Sequence, residues 1–222
     1  MRVKTLLFTA AICLGALGAT GAPASACPQP RDVNVSVELR MPDPAVRTDA
    51  GLAEIKQKST GAYTPDGAGN MHPVGLTRTR LMSEISFRHV VRRTQNGACG
   101  RVDTVRAQLT LSPFTVYVAQ EVPRGTCAWH EVYEHEMKHV QIERQTLRHL
   151  RPQISAYLSD AAESLGAVRG RSQRDIKRRL RAYLQSAIDQ INDEIARHKN
   201  AGHAQLDTLQ EYRRLSRACD GE

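Results

Sequence analysis

The spacing of apolar side chains changes period midway along the chain. In the first half they fall on alternate positions: Val33, Val35, Val37 and Leu39 in "VNVSVEL", then Val105, Ala107, Leu109 and Leu111 in "VDTVRAQLTLS". Such alternation buries one face of an extended strand. "LMSEISFRHVV" alternates too, and "TQNGACG" joins it to the second strand as a hairpin connection around Asn96-Gly97. "FTVYVA" (114–119) reads as one more, fairly buried strand, and "TPDGAGNMHPVG" (64–75) reads as a loop from its Gly, Pro and Asn content. From about Thr126 the period becomes helical. Residues 127–150 make a first helix, and Pro152 opens a second carrying Ile154, Tyr157, Leu158, Ala161 and Leu165, interrupted at Gly166 and Gly170. A third helix starts near Ser172 and gathers Ile176, Leu180, Leu184, Ile188, Ile191 and Ile195 on one face. "HKNAGHA" breaks it, and a short last helix lies within Leu206 to Cys219. Strands first and helices after predict an α+β fold, with a small antiparallel sheet packed against a helical half. The boundary falls near residue 120.

The N-terminus adds a compartment. Arg2 and Lys4 precede the mostly apolar stretch Leu6 to Leu17, and Ala24-Ser25-Ala26 ends a small-residue run. This is the form of a secretory signal, 1–26, cleaved before Cys27. Its apolar core is too short for a membrane span of about 20 residues. What remains, 27–222, is a length suited to one domain, secreted or periplasmic. Cleavage removes Cys13 and leaves Cys27, Cys99, Cys127 and Cys219. An even number of cysteines in an exported chain predicts two disulfides. Of the three possible pairings, Cys99–Cys127 joins a strand to the start of the first helix, and Cys27–Cys219 ties the two ends. That is the pairing expected here.

The chemistry concentrates in "CAWHEVYEHEMKHVQIE", residues 127–143. Within it, His135, Glu136 and His139 form an H-E-x-x-H pattern. Residues four apart share a helix face, so both imidazoles can bind one zinc ion while the glutamate stands beside them as general base. At about 100° per residue, Val132, His135, His139, Ile142, Thr146 and Leu150 lie on one face. The two histidines thus point inward with the aliphatic residues, where buried imidazoles need partners. His130 and Glu134 fall off this face. Glu131 and Glu143, one turn before and after the pair, are placed to support the ligands.

A catalytic zinc site needs a third protein ligand. The metzincin extension is absent, since Ile142 and Gln145 occupy its glycine and histidine positions. The best cluster elsewhere is "HKNAGHAQLDTLQEY", with His198, His203, Asp207, Glu211 and Tyr212, which the long third helix can carry back to the metal.

"GLTRTRL" (75–81), "ACGRVDTVRAQLTL" (98–111) and an aromatic residue ahead of "HEMKHV", together with Asp207-Thr208, resemble in order the bacterial secreted proteins grouped as domain of unknown function 922. These are predicted zinc-dependent proteases. Two positions depart from that pattern: Lys138 stands where members carry glycine, and the tail lacks their His-Gly ending. The resemblance implies a zincin-like fold and peptidase activity. Asp207 and Tyr212 also look similar to the aspzincin arrangement, in which an Asp near a Thr is the third ligand and a Tyr lies close by. That likeness selects Asp207 over His203 and gives Tyr212 a place beside the reacting oxygen. The expected activity is an exported peptidase in which one zinc ion, on His135, His139 and Asp207, activates water with Glu136 as base, acting on a peptide or protein.

The formal charge of +8 falls to about +6 without the signal. Much of it sits in "VRGRSQRDIKRRLRAY", between Arg169 and Arg181, which keeps the apolar spacing of Ile176 and Leu180. It reads as the solvated face of the third helix, and no nucleic-acid partner is expected. The competing reading is a non-catalytic envelope protein that uses this face for an acidic partner.

Overall fold

The structure is a computed structural model describing residues 27–28, 32–59 and 73–220. The expected signal, 1–26, and most of the 64–75 loop lie outside the described residues. In chain order the elements are β1 (Asn34–Arg40), β2 (Ala45–Arg47), α1 (Leu52–Lys58), β3 (Gly75–Thr94), β4 (Gly97–Val118), α2 (Cys127–Leu165), β5 (Val168–Gly170), α3 (Gln173–Leu206) and α4 (Leu209–Arg217). The mix of helix and sheet agrees with the α+β expectation, although α1 interrupts the strands and β5 the helices, neither of them expected. The wholly antiparallel sheet does not. β1 and β2 run parallel to β4, while β3 and β5 run antiparallel to it. The reason lies in the connection. The chain between β2 and β3 includes α1, long enough to cross from one edge of β4 to the other.

β4 is the spine of the sheet. β3 pairs along its whole length through a hairpin closed at Thr94 and Gly97, where Gly97 takes a positive φ of 143°. On the other edge lie β5, β1 and β2, and the last two keep one register, interrupted only where Pro42 and Pro44 remove ladder donors. "LTLS" and "FTVYVA" are one strand, not two. Between Thr79↔Phe114 and Leu81↔Leu111, Ser112 and Pro113 oppose Arg80 alone. This bulge absorbs the proline and shifts the buried set from Leu109 and Leu111 to Phe114, Val116 and Val118.

α2 and α3 cover one face of the sheet and share a core with it. α2 starts at Cys127, where the Thr126 hydroxyl accepts the Trp129 N–H at 3.2 Å. It then runs unbroken through Pro152, correcting the expected helix start there. Pro152 and Arg148, the residue whose carbonyl loses its partner, are both exposed, so water can satisfy that oxygen. The buried stripe Leu147, Leu150, Ile154 and Leu158 continues past it. α3 buries every residue of the expected stripe from Ile176 to Ile195. It does not stop at "HKNAGHA". Gly202 is a contact point, not a breaker: a Cβ there would come within 2.8 Å of Ile142 Cγ2 on α2. The basic residues Arg169, Arg171, Arg174, Lys177, Arg178, Arg179 and Arg181 are exposed around this stripe.

The disulfides are Cys27–Cys99 and Cys127–Cys219, with Cα separations of 5.6 and 5.9 Å. The expected pairing is wrong because Cys99 and Cys127 flank opposite ends of β4. At about 3.3 Å per residue, roughly 60 Å of strand separates Cys99 from Val118, ahead of α2. Cys127 instead meets the end of the chain, which α4 brings back alongside α2. Two disulfides fit an oxidising compartment. No described helix is long and apolar enough to cross a membrane.

Candidate metal centre

Both long helices carry an apolar stripe that turns polar at one end. On α2, Leu150 and Leu147 give way towards the N-terminus to Glu143, His139, Glu136 and His135, all buried. On α3, Ile191 and Ile195 are followed at the same spacing of four by Lys199, His203 and Asp207. The helices are antiparallel, so the two polar ends meet. His135, Glu136, His139 and Asp207 are each less than one-tenth exposed, and groups so buried must satisfy one another.

They do so around three atoms. His135 Nε2 and His139 Nε2 lie 3.3 Å apart, and Asp207 Oδ1 sits 3.2 Å from the first and 3.1 Å from the second. His135, Glu136 and His139 offer donor atoms within 4.8 Å of one another, a group that could hold a metal ion. Burial pushes the Asp207 carboxyl up, but hydrogen bonds and charge from both imidazoles outweigh it and hold it at about 2. Burial likewise opposes a charge on His135, yet Asp207, Glu136 and Glu211 together raise its pKa. The arrangement attracts positive charge.

Asp207 reaches this position as the C-cap of α3. Its N–H donates to the His203 carbonyl at 2.8 Å, and Thr208 then caps α4, its hydroxyl accepting from Glu211 N–H at 3.2 Å. His203, the other candidate, stands one turn earlier on the same face and behind His139. The two Nδ1 atoms are 2.8 Å apart, and His203 Nε2 is 3.1 Å from Glu143 Oε1. Lys199 Nζ lies 2.7 Å from Glu143 Oε2. Burial alone would raise the Glu143 pKa, but His203 and Lys199 reverse this and lower it. Behind the other imidazole, His135 Nδ1 is 3.4 Å from Glu211 Oε1. Glu211 is gripped by Arg214, which also reaches Glu131 on α2 at 2.7 Å.

Glu136 packs against the start of β3. Thr77 Oγ1 is 2.8 Å from Glu136 Oε2 and 2.9 Å from its carbonyl oxygen. A Cβ on Gly75 would fall 2.6 Å from Glu136 Oε1 and 2.7 Å from Val132 Cγ1. Only glycine lets the strand come this close to the helix. Burial raises the Glu136 pKa despite the two imidazoles and the Thr77 hydrogen bond.

The Tyr212 ring lies 6.4 Å from that of His135. Burial, then the charges of Asp207 and Glu136, push its hydroxyl up to about 12, so it remains a proton donor. His130 and Glu134 are exposed. His198 faces away, paired with Glu194 at 3.0 Å. Sequence reasoning passed over Thr77, Gly75 and Lys199 as individual residues. The last was signalled by the spacing of four that runs from Ile191 to Asp207.

No family model, curated protein or solved structure matches the chain.

Proposed function

We propose that the protein is an exported zinc-dependent hydrolase of peptide bonds, with His135, His139 and Asp207 as ligands and Glu136 as general base. The observation that carries this reading is the triangle of His135 Nε2, His139 Nε2 and Asp207 Oδ1, with sides of 3.1–3.3 Å. Tetrahedral zinc bonded at about 2.0–2.1 Å to nitrogen and oxygen requires donor atoms roughly 3.3 Å apart, so the donor set fits the ion in type and size. Both Nδ1 atoms are engaged on the far side, which leaves the Nε2 atoms for the ligand. A zinc ion there would supply Lewis acidity, acidifying water and polarising a carbonyl.

The remaining work belongs to side chains. Glu136 takes the proton of the attacking water and delivers it to the leaving amine, and its raised pKa brings it nearer a working pH. Thr77 fixes that carboxylate, and Tyr212 is the donor for the developing oxyanion. Peptide as substrate is supported by β3. Among the described residues β3 pairs on one side only, with β4, so its other edge offers free backbone groups beside Glu136. An extended chain can add to such an edge as a further strand.

Metal analysis of the purified protein tests the proposal. One zinc per chain is expected, lost in His135→Ala/His139→Ala. Glu136→Gln should keep zinc and cleave nothing in a peptide library. Wild-type protein that takes up no zinc would end the proposal.

A further inference from the structure

We infer that the end of the molecule farthest from the metal centre is a docking surface for an anionic lipid bilayer, gripping phosphate headgroups with a cap of arginines. The inference stands apart from the hydrolase reading.

Three segments build this end: the β3–β4 turn, β5 and the first turn of α3. They pack closely, for a Cβ on Gly97 would strike the Gly170 carbonyl, and one on Gly170 would fall 2.6 Å from Asp175 Oδ2. Each segment brings cations. Arg92 and Arg169 pair with Cys99 from opposite sides, which sets their strands about 10 Å apart. Arg93, Arg171, Arg174 and Lys177 follow on the same segments. All six are exposed, and none forms an ion pair among the described residues. The carboxylates nearby are engaged. Asp175 is held by Arg178 at 2.6 Å and Arg179 at 3.3 Å, and it accepts the Arg171 N–H at 3.1 Å. Glu163 accepts from Ser159 Oγ at 3.0 Å and from the Val33 N–H at 3.4 Å. Asp160, exposed near the end of α2, offsets one cation.

The positive charge is confined to this end. Along one exposed row of α3, Arg174, Arg178 and Arg181 give way to Gln185, Asp189 and Asp193. A field so polarised orients the molecule as well as attracting it. Chemistry and shape then select the bilayer. Five of the six unpaired cations are arginines, whose guanidinium forks bind phosphate oxygens two at a time. A hairpin turn and a helix start project and do not enclose. The surface cleft, about 450 Å³, lies midway along α2 and α3 between Leu150, Ile154, Ile191 and Ile195. A nucleic-acid strand would also need an aromatic platform for its bases, and the exposed Tyr183 stands more than two turns past Arg174. Val90, 39% exposed and two residues before Arg92, gives the cap an apolar side chain to set among headgroups. With this end on a membrane, the metal centre lies at the other end of α3, about 50 Å away.

Vesicle sedimentation of the purified protein tests this. It should pellet with vesicles of equal parts phosphatidylglycerol and phosphatidylcholine, not with phosphatidylcholine alone, and rising salt should release it. Arg169→Gln/Arg171→Gln/Arg174→Gln should weaken binding about 100-fold, at roughly fivefold per cation. Lys56→Gln/Arg124→Gln/Arg217→Gln removes the same charge from exposed positions elsewhere and should weaken it far less. If the first variant does not fold, Arg92→Gln/Arg93→Gln on the neighbouring segment makes the same test. Equal weakening by the two triple variants, or no pelleting of wild type at low salt, overturns the inference. Tighter binding to single-stranded DNA than to vesicles of equal phosphate concentration overturns it in favour of a polymer.

Discussion

His139 and His203 meet nitrogen to nitrogen, with 2.8 Å between their Nδ1 atoms, across the interface of α2 and α3. In the proposed site His203 therefore stands behind His139, whereas Asp207, four residues later, reaches the Nε2 side of both imidazoles.

The two residues should consequently fail differently. Asp207→Ala removes one of three donors, and dialysed protein should retain well under one zinc per chain. His203→Ala should retain zinc under the same conditions, with weakened affinity. The reverse order of retention would exchange their roles.

A second expectation concerns the base. Thr77→Val removes the hydroxyl on Glu136 Oε2, a hydrogen bond to a charged group worth about 1.5–3 kcal/mol. It should lower kcat at least tenfold with zinc content unchanged. Gly75→Ala should do more harm, because its methyl meets Glu136 and Val132 together. Full activity in Gly75→Ala would mean that β3 does not position the base.

The two disulfides separate stability from chemistry. They span 72 and 92 residues, so each stabilises by roughly 4 kcal/mol through the unfolded chain. Replacing either pair by serine should lower the urea midpoint comparably. Only Cys127→Ser/Cys219→Ser should also weaken zinc affinity, because it frees α4 with Glu211 and Tyr212. Equal affinity in both double variants would count against a role for α4.

Pro152→Ala restores a missing hydrogen bond at an exposed position of α2. Interior proline costs about 3 kcal/mol, offset in part by its restriction of the unfolded chain. A net gain of about 1 kcal/mol or more is expected in the urea midpoint. No gain would mean that the helix already accommodates the ring without loss.

What could be read from the sequence was whatever periodicity carries. The stripe from Ile176 to Ile195 and the inward direction of His135 and His139 both follow from spacing alone. The predicted α2 face was offset. It included Ile142 and Thr146, but Val140, Glu143 and Leu147 are the buried residues, because the sheet and α3 press from two sides. Pro152, Pro113 and Gly202 misled for one reason. Local chemistry names them breakers, but tertiary burial, a bulge and a helix contact each override it. Strand direction and cysteine pairing depend on which end of β4 a residue lies near, and no local pattern records that.

The stripe of α3 has a consequence for the order in which the molecule is assembled. His135 and Asp207 are 72 residues apart in the chain. Closing so large a gap costs entropy, which the intervening apolar contacts must offset before the polar ends can meet. A chain only partly zipped along the helical hairpin has not yet brought Asp207 to the histidine pair, and the Cys127–Cys219 disulfide shortens the gap it must close. In the proposed site, competence to bind metal would then report completed folding, since the donors come together only when the two helices have packed against each other.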